Sequence, residues 1–173
     1  MKNRLLIVLF IFSSFTAFSQ NKLQEFTASG FKANFPQEPS IEKTDAETQL
    51  GKATITIYLS EGKDYMIMVS ESNYPENFIN LKDNSLYKGM LDGSVSASIN
   101  NIAKQMESDY KSTLNEDFVY ETKYTAKKYE GKIATTDLKG MSFIKGNQMY
   151  QIIILGNTKA TAVDAFLKSF TVL

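Results

Sequence analysis

The sequence predicts a single α+β domain built on a central antiparallel sheet flanked by helices. Three observations carry that expectation. Apolar and polar residues alternate in several short runs, with the period of half-buried strands. Residues 81–106 instead repeat their apolar members at three to five positions, as on one side of a helix. Residues 140–173 read as a hairpin followed by a closing amphipathic helix.

The chain opens with Lys2 and Arg4, then an uninterrupted apolar run over residues 5–12, with Ala17 and Ser19 at the −3 and −1 positions of a cut before Gln20. This predicts a bacterial secretory signal peptide over residues 1–19 and one domain over residues 20–173. The alternative, an uncleaved anchor, needs about 20 apolar residues, and the run falls short even when extended to Phe18. Without a Cys near the cut a lipid anchor is excluded. The expected product is periplasmic or secreted, with no stable membrane insertion after cleavage.

Phe31, Ala33 and Phe35 alternate with Lys32 and Asn34 as a strand ended by Pro36 and Pro39. Residues 41–50 alternate weakly, like an edge strand, and Gly51 supplies a turn. Ala53, Ile55, Ile57 and Leu59 fall on one strand face, with Thr54, Thr56 and Tyr58 on the other. After a turn at residues 61–64, Tyr65, Ile67 and Val69 alternate with Met66, Met68 and Ser70. The pair predicts a hairpin whose Thr/Tyr/Met face is moderately polar and covered by helices. Leu86, Met90, Val95, Ile99, Ile102 and Met106 give the inner stripe of the long helix, with a kink or break expected at Gly89 and Gly93. Phe118, Tyr120, Thr122, Tyr124 and Ala126 alternate as one further strand, and Glu130-Gly131 reads as its turn. Gly146-Asn147 marks a tight hairpin turn. Ile152, Ile153, Ile154 and Leu155 form a continuous apolar run, expected of a central strand covered on both faces. In the last helix Val163, Phe166, Leu167 and Phe170 point inward, and Lys159, Asp164 and Lys168 outward.

Composition narrows the chemistry. The 173 residues include no His, Cys or Trp. Disulfides, thiolate nucleophiles, Ser-His pairs and the usual zinc sites are therefore excluded. Removing Lys2 and Arg4 leaves 17 cations against 19 anions, a net charge of −2. That balance argues against nucleic acid as a partner. No cofactor, metal or catalytic residue is expected: Asp83, Asp92, Glu107 and Asp109 lack calcium-loop spacing and read as a solvated face. Two clusters qualify as binding candidates. Tyr124, Lys127, Lys128 and Tyr129 lie in the most basic and aromatic stretch, which suits an interface or simple strand alternation. Tyr74 and Phe78, flanking Pro75, either rim a pocket or pack down the loop before the long helix.

The order of features resembles the PsbP/Mog1-like superfamily. Residues 31–39, FKANFPQEP, are similar to its "F-x-V-x-F-P-x-x-P" opening, and the strands leading to Asn73-Tyr74-Pro75 to its "Y-x-V-x-Y-x-D-Y-P" segment. Tyr129-Glu130-Gly131 sits where members have "Y-P-G". Residues 145–150, KGNQMY, are similar to "x-G-x-R-L-Y", and residues 165–170, AFLKSF, to "x-F-x-x-S-F". Glu130 departs from the family Pro, and Gln148-Met149 from Arg-Leu. The resemblance implies an α-β-α sandwich. Its members include a photosystem subunit, a partner of a nuclear-transport GTPase and secreted bacterial proteins of unassigned role, so it implies no activity.

The leading functional expectation is a secreted, non-enzymatic binding or accessory domain of the cell envelope whose partner is another protein. The alternative is a carrier of a small apolar ligand between the sheet's Tyr/Met face and the long helix. A third is an enzyme using Lys, Tyr or carboxylates. The first needs a well-filled core and an exposed apolar or aromatic patch, the second an enclosed apolar cavity, the third a cleft in which a Lys or carboxylate is strongly shifted beside a partner.

Overall fold

A computed structural model describes residues 23–48, 51–75 and 84–173. The signal-peptide segment, Phe78 and Asp83 lie outside these residues. Among the described residues there are ten strands and two helices. In chain order they are β1 (Gln24–Thr27), β2 (Phe31–Phe35), β3 (Ser40–Thr48), β4 (Gly51–Glu61), β5 (Tyr65–Asn73), α1 (Asn84–Gln105), β6 (Tyr110–Tyr120), β7 (Tyr124–Ile133), β8 (Thr136–Lys145), β9 (Gln148–Gly156), α2 (Thr161–Ser169) and β10 (Thr171–Val172). Seven strands form one antiparallel sheet in the order β3-β4-β5-β9-β8-β7-β6, and three form a second in the order β1-β2-β10.

This arrangement overturns the expected α-β-α sandwich. The chain is mostly β, with two sheets and two helices among the described residues. Helix α1 lies on one face of the large sheet, against β6, β7 and β8. The opposite face is covered by the three-stranded sheet together with the nine-residue α2. The physical reason lies in β2. It buries Phe31, Ala33 and Phe35 toward the large sheet, but takes its hydrogen-bond partners from β1 and β10. Those partners are four polar-leaning residues and two residues long, too short to show a strand period.

Strand β9 is the fourth of the seven, and Met149 through Leu155 are all buried, as the apolar run predicts. Tyr150, Ile152 and Ile154 enter the core shared with Phe31, Phe35, Val163 and Phe166. Ile153 and Leu155 enter the core shared with Val95, Ile99 and Ala103 of α1. Ser169 ties the layers: its Oγ donates to the Phe166 carbonyl at 2.7 Å and accepts from the Asn34 amide at 2.8 Å.

The first hairpin needs a correction. Tyr58 faces Val69, and both belong to the aromatic core, whereas Leu59 faces Met68, which packs with α1's core. Tyr58 and Ser60 are buried while Ile55, Ile57 and Leu59 stay half-buried, so the Thr/Tyr side of β4 is the better covered one. Tyr58 and the two methionines thus lie on opposite faces of the sheet.

Two turns also fall elsewhere than expected. The alternating run from Phe118 to Ala126 is a hairpin, broken at residues 121–123, with Glu121 and Thr122 in left-handed conformation at φ 48° and 60°. Glu130-Gly131 lies inside β7, and the chain reverses after Ile133, with Ala134 at φ 53°. These turns use residues that rarely adopt positive φ, so no Gly, Asn or Pro announces them. Gly146-Asn147 does form the two-residue turn between β8 and β9, with Gly146 at φ 59°.

Helix α1 runs unbroken for 22 residues through Gly89 and Gly93. Its buried stripe is Leu91, Val95, Ile99 and Ala103, each four residues on, while Leu86 and Met106 are exposed. Both glycines face solvent, and a Cβ at either meets nothing within 4 Å. Gly93→Ala is therefore expected to stabilise the protein by about 1 kcal/mol through helix propensity and the unfolded chain, read as a rise in the urea midpoint. Phe166 is fully buried with its ring 5.0 Å from that of Phe35. Phe166→Ala is expected to cost about 3–5 kcal/mol by the same measurement; a midpoint at the wild-type value would refute this packing of α2.

Candidate functional site

The seam between α1 and edge strand β6 builds a shaped, hydrogen-bonding recess. The β6–β7 register decides which β6 side chains face the helix. On β7, Lys127 bonds Asp92 of α1 and Tyr129 packs with Val95 and Ile99. Their cross-strand partners are Asp117 and Asn115, with Val119 two residues further on the same face, opposite Thr125. Along the seam, Lys88 meets Asp117 at 3.0 Å and Asp92 meets Lys127 at 2.5 Å. Further along, Ser96 and Asn100 of α1 face Ser112 and Asn115 of β6 across an open cleft of about 150 Å³, walled by Val95, Ile99, Tyr110 and Tyr129. A β-bulge between Ser112 and Leu114 lies at the cleft, a distortion that bends the strand and re-aims its side chains.

The electrostatics separate the seam into two parts. At one end, Lys127 is buried and bridges Asp92 and Asp117, the latter at 3.3 Å. Burial alone pulls its pKa down, but hydrogen bonds to Asp92 and Asp117 outweigh that and hold it above the ordinary lysine value. Hydrogen bonds from Lys88 and then Lys127 hold the Asp117 carboxyl below the ordinary carboxylate value. Lys127 and Asp117 are both held in their charged forms, and the ion pairs fasten α1 to the sheet. At the other end the cleft lining is uncharged, with hydroxyl, carboxamide and phenol groups over an apolar wall.

The sequence-predicted residues do not converge. Lys127 and Tyr129 point to the α1 face, whereas Tyr124 and Lys128 point to the opposite face. Tyr129 is core: its hydroxyl donates to the Ile152 carbonyl at 3.3 Å, and burial pushes its pKa upward. Tyr124 stacks near Phe143 under the Lys123 ammonium, which lies 4.9 Å from its ring. Lys128 is exposed and pairs with Glu116 at 2.9 Å. Tyr74 is half-buried beside Leu91, Ile144 and Met149, and exchanges hydrogen bonds with Asn147, so it pins the β8–β9 turn. Phe78 lies outside the described residues. The seam residues Ser96, Asn100, Ser112, Asn115 and Val119 escaped sequence reading because the first half of β6 is polar and mostly exposed.

The carrier reading required a joint Tyr/Met face, and those side chains lie on opposite faces of the sheet. The space under α1 is occupied by its own stripe against Ile133, Leu138, Ile153 and Leu155. For an enzyme, the buried lysine is the natural nucleophile, and Lys127 is instead held as ammonium by two carboxylates. No described helix is long and apolar enough to cross a membrane.

No protein-family model matches the chain, and no curated protein matches it. The resemblance to PsbP/Mog1-like proteins rests on the quoted motifs alone.

The Lys127 network predicts a defined pH profile. The contribution of a raised lysine is complete below its ordinary 10.5 and is lost as pH rises through the raised value. That of a lowered carboxyl is complete above its ordinary 3.8 and is lost as pH falls through the lowered value. Lys127→Met is expected to cost about 1–3 kcal/mol at neutral pH. Urea titrations should show that gap closing at both pH extremes; a constant gap would mean the lysine acts through packing alone.

Proposed function

We propose that this chain is a secreted, non-enzymatic protein-binding module of the bacterial cell envelope, whose α1–β6 groove takes an extended segment of its partner. The observation behind this reading is that a free strand edge meets a helix wall. Among the described residues β6 ends the large sheet, so its outer row of backbone N–H and C=O groups faces no described strand. From Leu114 to Tyr120 its register with β7 is regular. A segment laid along that edge would gain main-chain hydrogen bonds, with neighbouring side chains supplying selectivity. Asn115, Asn100 and Ser96 offer neutral donors and acceptors there, and Val119, 61% exposed on the same face, offers an apolar contact. The signal sequence and the motif resemblance to secreted bacterial proteins support the envelope setting.

The test is capture from envelope extract with the purified protein as bait, read by mass spectrometry. Partners held by the wild type are expected to be lost with Val119→Asp and Asn115→Arg and retained with Lys159→Glu, on the loop before α2. If both groove variants bring down the wild-type set, the groove is not the binding surface.

A further inference from the structure

The large sheet has a second edge, and its chemistry is different. β3 is nine residues long, forms an unbroken register with β4, and is exposed over most of its length. It carries four charges in a short span: Glu42, Lys43, Asp45 and Glu47. Charged residues on an edge normally prevent indiscriminate pairing. A particular order of charges does the reverse for one partner and one register.

We infer that β3 is a self-complementary edge that pairs antiparallel with β3 of a second copy about a two-fold axis at Thr44. Opposing residues in a sheet must share a face, so a two-fold axis through the sheet places one residue opposite its own copy. Centring on residue 42, 43, 45 or 47 sets a charged residue against itself. Centring on residue 46 sets Asp45 against Glu47. Centring on Thr44 creates no like-charge pair and sets Lys43 against Asp45 twice. That same centre is the midpoint of Ser40–Thr48, so all nine residues are paired. Charge excludes centres 42, 43, 45, 46 and 47, and full pairing of the strand selects Thr44 among those that remain. The other edge is unsuited to this, because its bulge between Ser112 and Leu114 breaks the regular ladder.

The pairing would join two seven-stranded sheets into one of fourteen strands and leave both α1–β6 grooves free, so it stands independently of the partner-binding reading. An edge contact of this length is at the small end of specific interfaces, so the dimer is expected to be concentration-dependent.

Sedimentation velocity over a concentration series tests it. The wild type is expected to show a monomer–dimer equilibrium in the micromolar range or weaker. Lys43→Glu or Asp45→Lys alone is expected to weaken the dimer at least tenfold by setting like charges opposite. Combining the two changes is expected to restore it. Both side chains are exposed on β3, and Asp45 also bridges Lys52 at 2.8 Å within its own chain, so a cooperative thermal transition for each variant, rather than an unchanged midpoint, would confirm that it folds. A wild type that stays monomeric at millimolar concentration, single variants with wild-type dimerisation, or a double variant that does not recover would each overturn the proposal.

Discussion

The molecule is registered on one strand. β9 has a buried side chain at every position from Met149 to Leu155, and strand alternation sends them to two unlike environments. Tyr150 stacks on Phe143 at 5.1 Å within an aromatic core of rings from β2, α2 and the large sheet. Ile153 and Leu155 meet the aliphatic stripe of α1. Slipping β9 by one residue against β5 or β8 would exchange these sets and drive a tyrosine into the helix interface. Because β5 and β8 pair along nearly all of β9, its register fixes theirs, and through them that of the outer strands.

Buried polar groups sharpen the alignment that burial begins. Gln151, in the middle of β9, accepts from Ser98 of α1 at 2.6 Å and so sets where along the strand the helix sits. On the other face Glu71 is buried, accepts from Gln148 at 3.2 Å, and leaves one carboxylate oxygen without a partner. Burial first, and then the Glu71 charge, push the Tyr58 and Tyr150 hydroxyls above their ordinary pKa. A Cβ on Gly30 would run into the ends of both the Tyr150 and Glu71 side chains, so a larger residue in the loop between β1 and β2 would have to displace them. Such contacts contribute modestly each, about 1 kcal/mol, but a misaligned layer would leave them all unmade.

What the sequence made legible follows from how each residue sees its surroundings. β2, β9, the Gly146-Asn147 turn and α2 were readable because their signals are local: a burial period, a glycine with positive φ, one apolar helix stripe. The β6–β7 hairpin was not, since its turn uses Glu121, Thr122 and Lys123, and only the tertiary fold holds two of them at positive φ. Gly131 misled in the other direction, and Gly140 shows the same cause. Each lies within a strand beneath a tyrosine ring, Tyr110 and Tyr129 respectively, so their glycine character serves packing across strands rather than turning. The binding candidates do not form one surface, for a related reason. Tyr124, Lys127, Lys128 and Tyr129 are consecutive or nearly so, and strand alternation divides such neighbours between two faces. The groove residues come from three segments, residues 95–100, 110–115 and Tyr129, whose separation no local pattern spans.

The position of that groove follows from the widths of the elements. A helix with its side chains is roughly 10 Å across, and strands are spaced at about 4.8 Å, so one helix shields two or three strands. α1, at 22 residues, is about 33 Å long and can follow strands along their length without covering more of them. Lys127 and Tyr129 on β7, with Leu138 on β8, anchor it over that half of the sheet. Its flank must then come down beside β6, where the sheet also ends. A helix wall and an unpaired strand edge therefore coincide at one side of the molecule because a single helix is centred two strands from the margin. At the other side no described helix lies over β3 or β4. There the edge is managed by charge alone, and charge, unlike a wall, can be matched by a partner bearing the same sequence in reverse.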